Sequence, residues 1–393
     1  MNYILFEDSK VSNLRPFSIN HASFDIRIGI YSNIERVLAL LSKDDKLYLI
    51  VRPDIEDITR ERYPQFIINP KIIPSGIMLN GATIWHSKII SKLEINKSYS
   101  SNGNIVAVFR DVSTELMQFQ DVLNKSLEIT IDIDLIHINY LWDSIFCLPK
   151  ILSNDAKDIS SSSNYQIDST AIISNSENIV INENANIKPG VILDASKGPI
   201  IIDKNAMIDI GSLVQGPIYI GENSIINPGA KLRGNISIGP VSKVGGELED
   251  VIIQGYTNKQ HDGYLGHSFL GEWINLGANT TNSDLKNNYS NVRINITKDL
   301  QINTLQQFLG VLIGDYTRTG ISTMLNTGTF IGLGANVFGA GFQPKYIESF
   351  KWGVDDKTNF DKFIQTCQEV KRRRNRTISK IEIELLKKLY NLD

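Results

Sequence analysis

Cysteine is nearly absent from this 393-residue chain: only Cys147 and Cys367 occur, far apart and without CxxC or zinc-ligand spacing. That excludes a disulfide framework and a cysteine-built metal site, and it suits a reducing cytoplasm. Neither sign of charge dominates, since 40 Lys and Arg against 43 Asp and Glu leave a formal net charge of −3. Nucleic acid and an anionic membrane are therefore not expected as partners. Long apolar runs are also missing. The opening MNYILFEDSK turns acidic after about five apolar residues, too few for a signal-peptide core, and no stretch approaches a membrane span.

What is present divides in two. The length alone predicts two or three domains. Over 1–155, short apolar runs alternate with amphipathic segments. YILF (3–6) and KLYLIV (46–51) read as buried strands. Between them, YSNIERVLALL (31–41) places Ile34, Val37, Leu38 and Leu41 on one helical face. A strand, a helix and a strand predict a βαβ unit with a parallel sheet. IDIDLIHINYLWDSI (131–145) reads as an amphipathic helix closing this domain, with Asp132, Asp134 and Asp143 toward water. The serine-rich stretch around 156–164 reads as a linker.

From 165 to 345 the period changes to six. Ile202, Ile208, Val214, Ile220, Ile226, Leu232, Ile238 and Val244 form an unbroken series, preceded by Ile181, Ile187 and Leu193 and followed by Leu325, Ile331 and Val337. Helices do not repeat every six residues and strands repeat every two, so this period predicts a parallel β-helix of the left-handed hexapeptide type. Such a prism leaves sides open for neighbours, and a homotrimer is expected. The tail, 346–393, abandons the repeat and reads as two helices, the first ending in the basic run KRRRNR (371–376).

The stretch His261-Asp-Gly-Tyr264-Leu-Gly, followed by Asn275-Leu-Gly-Ala, resembles the acetyltransferase half of the bifunctional N-acetylglucosamine-1-phosphate uridylyltransferase / glucosamine-1-phosphate N-acetyltransferase family. The order of domains is similar too: an α/β (Rossmann-like) nucleotidyltransferase first, a hexapeptide coil second. The resemblance implies acetyl-CoA and an amino-sugar phosphate as substrates of the coil. It implies a nucleoside triphosphate such as UTP, a sugar 1-phosphate and Mg2+ for the first domain. His261 would be the general base, as histidine ordinarily titrates near neutrality. Tyr264 and Asn275 would position substrate, and the backbone N–H groups of Gly277 or Ala278 would hold the oxyanion. His267 lies outside the motif and is expected to face solvent.

Two departures from the family pattern matter. YILFEDSKVSNLRPF has no glycine where the family has a glycine-rich phosphate loop, so Arg15, Arg27 and Asn80 are the nucleotide-binding candidates in its place. Glu249 stands where the family has a basic residue for the sugar phosphate, so Arg233 or Lys259 is expected to supply that charge. Two alternatives stay open: a nucleotidyltransferase whose coil only oligomerises, and a non-catalytic sugar-nucleotide-binding scaffold.

Overall fold

The computed structural model describes residues 1–126 and 130–392. Residues 127–129, within the expected first domain, and 393, in the expected tail, lie outside the described residues. The N-terminal part is built on a seven-stranded sheet of β1 (Asn2–Phe6), β2 (Lys46–Ile50), β3 (Ile67–Ile68), β4 (Gly76–Asn80), β5 (Lys97–Ser101), β6 (Asn104–Arg110) and β7 (Ile131–Asp132). Its order is β7-β5-β6-β4-β1-β2-β3. The run β4-β1-β2-β3 is parallel and β6 is antiparallel to both its neighbours. The βαβ expectation is met by α1 (Asn33–Leu38) between β1 and β2. Its N-cap Ser32 accepts from Glu35 N–H while Glu35 reaches back to Ser32 N–H, a reciprocal cap that starts the helix.

The helix expected over 131–145 is corrected. Residues 131–132 pair with β5, and Thr83 and His137 form a further bridge. Only from Asp143 does a helix run, α2 (Asp143–Asp155), and the Asp143 carboxylate accepts the N–H groups of Asn139 and Tyr140 ahead of it. The alternation in IDIDLIHI carries a period of two, which signals a strand.

From residue 166 the chain coils. Turn after turn, Ile187, Ile208, Ile226 and Val244 pair in register along a first side. Leu193, Val214, Leu232 and Leu248 pair along a second. Ile202, Ile220, Ile238 and Ile253 pair along a third. These aliphatics fill one continuous core. Corners need backbone in the left-handed region, where asparagine and glycine are tolerated best. Asn184, Asn205 and Asn223 recur at one corner, all near φ +54 to +58°, and Gly190, Gly211 and Gly229 recur at another. The six-residue period is thus the period of a three-sided parallel β-helix.

The N-terminal part lies against the outside of the third side. Trp142, Ile145, Leu148 and Leu152 pack with Ile201, Tyr219, Ile252, Phe269, Leu312 and Phe330 in one buried cluster. The segment following β1 is part of this seam. Ser237 Oγ donates to Gly29 O at 2.6 Å, and the Gln254 amide bonds both backbone groups of Arg27. An insertion in the coil, between 284 and 310, carries the hairpin Arg293–Asn295/Gln301–Asn303 and adds Val292, Ile294 and Leu309 to the seam. After the coil come α3 (Phe360–Arg372) and α4 (Lys380–Leu392), as expected for the tail.

Candidate active site

The edge between the first and second sides carries His261. Successive turns bring Pro228, His261, Ala278 and Asn279 to this edge, where with Asn227, Gly246, Gln260 and Asp262 they line an open cleft of about 510 Å³. The His261 side chain is exposed, and among the described residues no hydrogen-bond partner engages its ring. Its backbone is held firmly. Lys259 passes beneath the corner, 1% exposed, and its ammonium donates to Gly245 O at 3.1 Å and to the carbonyl of His261. Burial presses the Lys259 pKa down to about 8, despite the nearby Asp262 carboxylate. Asn227 Nδ2 donates to Gln260 O at 3.0 Å from two turns earlier.

Of the remaining coil residues singled out from sequence, Ala278 alone joins His261 in the cleft. Its N–H meets no acceptor among the described residues, whereas Gly277 N–H is already spent on Thr319 Oγ1 at 2.9 Å. The Gly277 assignment is therefore corrected. Tyr264 turns along the second side, and its hydroxyl donates to Asp284 Oδ2 at 2.9 Å. Burial and that carboxylate push the phenol pKa up. Asn275 is exposed on the first side, where Asn258 Nδ2 donates to its Oδ1 at 3.3 Å.

The two basic candidates for the sugar phosphate fare differently. Lys259 is corrected outright: its ammonium is committed to carbonyls and turned away from solvent. Arg233 is half exposed, but Glu247 at 2.9 Å and Glu249 at 3.3 Å occupy its guanidinium. The sequence reading missed the environment of His267. This residue adopts φ +43° at the next corner, and Asp284 Oδ2 lies 2.8 Å from Nδ1 while Asp250 Oδ2 lies 3.5 Å from Nε2. Phe308 stacks on its ring at 5.0 Å. His267 does not face solvent as expected, since its side chain is only 16% exposed. The signal was present in sequence as Asp250 and Asp284, which occupy the same corner one turn to either side.

In the N-terminal part, Arg15 is exposed and its guanidinium is unpaired among the described residues. Arg27 is corrected as a phosphate donor, because its guanidinium donates to Ile30 O and pairs with Glu35 at 3.1 Å. Asn80 is corrected as well. Fully buried at the end of β4, it spends both amide hydrogens on Asp8 Oδ2 and Ile105 O and its oxygen on Ala82 N–H. It organises the carboxyl ends of β1 and β4 rather than touching a ligand.

Among the described residues, the carboxylates after β1 are already engaged and offer Mg2+ no ready pair. Asp8 accepts from Asn80 and from Lys10 N–H, and Glu7 is buried against Arg52 at 2.8 Å. Among the described residues, the group close enough together to ligate a metal is His21, Glu272 and Asp315 at the seam. Two of the three are already engaged with each other: His21 Nε2 lies 2.7 Å from Asp315 Oδ2, and Asn20 donates to the same oxygen at 2.9 Å.

The basic run of the tail is partly structural. Lys371 pairs with Glu382 at 2.6 Å and lies over the Trp273 ring at 4.9 Å, while Arg374 donates to Asn258 Oδ1 at 2.8 Å.

Residues 3–164 match the family described as sugar nucleotidyl transferase. The N-terminal part is similar to that family. Across both parts, the chain is 30% identical over 259 residues to a bifunctional sugar-1-phosphate nucleotidylyltransferase/acetyltransferase of Sulfurisphaera tokodaii, covering 64% of this chain and 61% of that protein. A bifunctional protein GlmU of Methanocaldococcus jannaschii is 34% identical over 86 residues, which are 22% of this chain and 21% of that one. The matched part thus spans about three fifths of the first relative and about one fifth of the second. Among solved structures, the UDP-N-acetylglucosamine acyltransferase of Francisella novicida matches at 15% identity and TM-score 0.20, over 59% of this chain and 86% of that one. The family resemblance read from the His261 motif and the domain order agrees with the Sulfurisphaera and Methanocaldococcus relatives.

Proposed function

We propose that the coil transfers an acetyl group from acetyl-CoA to the amine of a sugar phosphate, and that the N-terminal domain transfers a nucleotidyl group from a nucleoside triphosphate to a sugar 1-phosphate. The observation that carries the first activity is the pairing, in one cleft, of a His261 ring and an Ala278 N–H that have no hydrogen-bond partner among the described residues. His261 takes a proton from the amine as nitrogen attacks the thioester carbonyl. Ala278 N–H donates to the oxygen that becomes negative, an interaction worth about 3–4 kcal/mol where it forms in a water-poor site. Collapse of the tetrahedral species breaks the carbon–sulfur bond, and the departing thiolate recovers the proton from His261. Lys259 serves as a positioning residue, because it fixes the carbonyls of the corner on which His261 stands.

The same edge of the prism is apolar and exposed above and below the cleft. Ile210 is 57% exposed, Ile321 80% and Phe342 64%. Such a stripe on a prism whose third side is already covered favours burial against further copies of the chain, as in a trimer. His261 then lies at the mouth of a groove between protomers. A cytoplasmic trimer is the assembly in which we read the enzyme.

For nucleotidyl transfer, Arg15 is the basic residue of the glycine-free segment that is exposed and has no partner among the described residues. Among the described residues, Glu7 and Asp8 at the carboxyl end of β1 are engaged by Arg52 and Asn80, so no step is assigned to Mg2+. Paired assays on the purified chain test both activities: thiol release from acetyl-CoA with amino-sugar phosphates, and pyrophosphate release with UTP or another triphosphate plus sugar 1-phosphates. Thiol release without pyrophosphate would restrict the chain to the first activity. Release of neither would leave a scaffold.

A further inference from the structure

Three side chains able to ligate a metal converge where the segment after β1 meets the coil. His21 comes from that segment, and Glu272 and Asp315 come from one corner of the coil on successive turns. One ligand atom from each lies within 4.8 Å of the other two. Zinc bonds of about 2.0–2.2 Å set ligand atoms roughly 3.4 Å apart, so side-chain adjustments of roughly an ångström close the set.

Two of these ligands are fixed from outside. Phe17 stacks on the His21 ring at 4.6 Å. Arg62 and Asp25 meet Nδ1 at 3.1 and 3.6 Å, which leaves Nε2 turned toward Asp315. Asp315 Oδ1 accepts the Glu272 N–H at 2.9 Å, so Oδ2 is the oxygen that faces the site.

Two groups here lack a structural explanation. Among the described residues, no hydrogen bond or ion pair reaches the Glu272 carboxylate. Asn20 is 5% exposed and gives an amide hydrogen to Asp315 Oδ2 at 2.9 Å, yet Oδ1 of the same carboxamide is buried without a partner among the described residues. A buried acceptor left unpaired is costly, and a cation is what such an oxygen can satisfy. Charge points the same way. The carboxylates of Asp25, Glu272 and Asp315 gather against Arg62 and one proton on His21, while Lys371 is spent on Glu382. One negative charge is left over. A divalent cation in place of the proton brings the group to balance.

We propose that His21, Glu272 and Asp315 bind one divalent cation of the zinc class, with Asn20 Oδ1 as a fourth ligand, and that this ion fastens the N-terminal segment to the coil. An imidazole nitrogen favours zinc over the hard cations Mg2+ and Ca2+, and carboxylates complete a four-coordinate set. Asp25, on the far side of the ring, is placed to orient it as carboxylates behind metal-bound histidines do. Without the ion, a proton between His21 Nε2 and Asp315 Oδ2 joins the same two halves. The site is separate from the His261 cleft and takes no part in either transfer.

Calorimetric titration of the EDTA-treated full chain with ZnCl2 and with MgCl2, alongside denaturant melts with and without each salt, tests the proposal. The parent should bind Zn2+, and zinc should raise its unfolding midpoint, because a ligand of the folded state stabilises it by mass action. Mg2+ at the same concentration should do neither. Glu272→Gln should weaken Zn2+ at least about 10-fold and abolish the rise in midpoint. That variant loses no hydrogen bond, so it reports even where His21→Gln, which should also lose zinc, fails to fold. A parent that binds no zinc overturns the proposal, as does zinc binding that Glu272→Gln leaves unaltered. Zinc binding without a rise in midpoint overturns the fastening role, and a rise with Mg2+ equal to that with zinc overturns the imidazole ligand.

Discussion

His21 Nε2 lies 2.7 Å from Asp315 Oδ2, a buried contact that joins the segment after β1 to a corner of the coil 294 residues later. Arg62 at 3.1 Å and Asp25 at 3.6 Å meet the other ring nitrogen. The same segment is where the related family keeps its phosphate loop. Here it fastens the two halves of the molecule together.

This clasp should make stability fall at alkaline pH. Burial and the Arg62 guanidinium press His21 toward its neutral form, but the Asp315 and Asp25 carboxylates outweigh them and raise its pKa to about 9. Against an ordinary value near 6.5, the folded state binds the extra proton across that interval. The contribution is full below pH 6.5 and is lost as pH rises through about 9. Asp315→Asn should cost up to about 3 kcal/mol near neutrality, since it removes the nearer of the two carboxylates that hold the His21 proton. Denaturant melts of parent and variant from pH 6 to 10 should converge at the alkaline end, and a constant gap would refute the assignment.

Lys259 should matter to the coil and not to phosphate. Lys259→Met removes the donors from carbonyls of the His261 corner, and each buried acceptor left without a partner costs about 1–3 kcal/mol. Unfolding should shift to lower denaturant, and kcat should fall more than KM for the sugar phosphate rises. A rise in KM alone would restore Lys259 as a phosphate ligand.

His267→Ala should be destabilising, because Asp284 and Asp250 would face each other across an emptied corner. We expect a loss of about 1–3 kcal/mol, with acetyl transfer by the folded fraction within a few-fold of the parent. Should that fraction lose acetylation by orders of magnitude, His267 rather than His261 would be the base.

Trimer assembly should depend on the His261 edge. Sedimentation of the parent should give three chains, and Ile321→Glu should shift the mass toward one chain, since Ile321 is 80% exposed on that edge. A parent that sediments as a single chain would contradict the assembly.

The coil was legible because its signal is a long register: each aliphatic of the six-residue series lies beneath its counterpart in one core. Legibility ended where a residue's role depends on a partner far away in sequence. Asn80 and Arg27 carry the right chemistry for a phosphate, yet Asp8, Ile105 and Glu35 already use it. Lys259 reads as a cation on an exposed turn, and only the folding of the corner over it reveals a buried donor. The error over 131–145 was of another kind, since apolar residues at helical spacing also alternated.

The account stands most directly on acetyl transfer by His261→Ala. With thiol release from acetyl-CoA measured against an amino-sugar phosphate that the parent accepts, the variant should lose about 10²–10⁴-fold in kcat, the usual contribution of a general base. Its melting curve should match the parent's, because the His261 ring has no partner to lose among the described residues. Parental acetylation by His261→Ala would contradict the assignment, and with it the reading of this edge of the coil as the acetyl-transfer site.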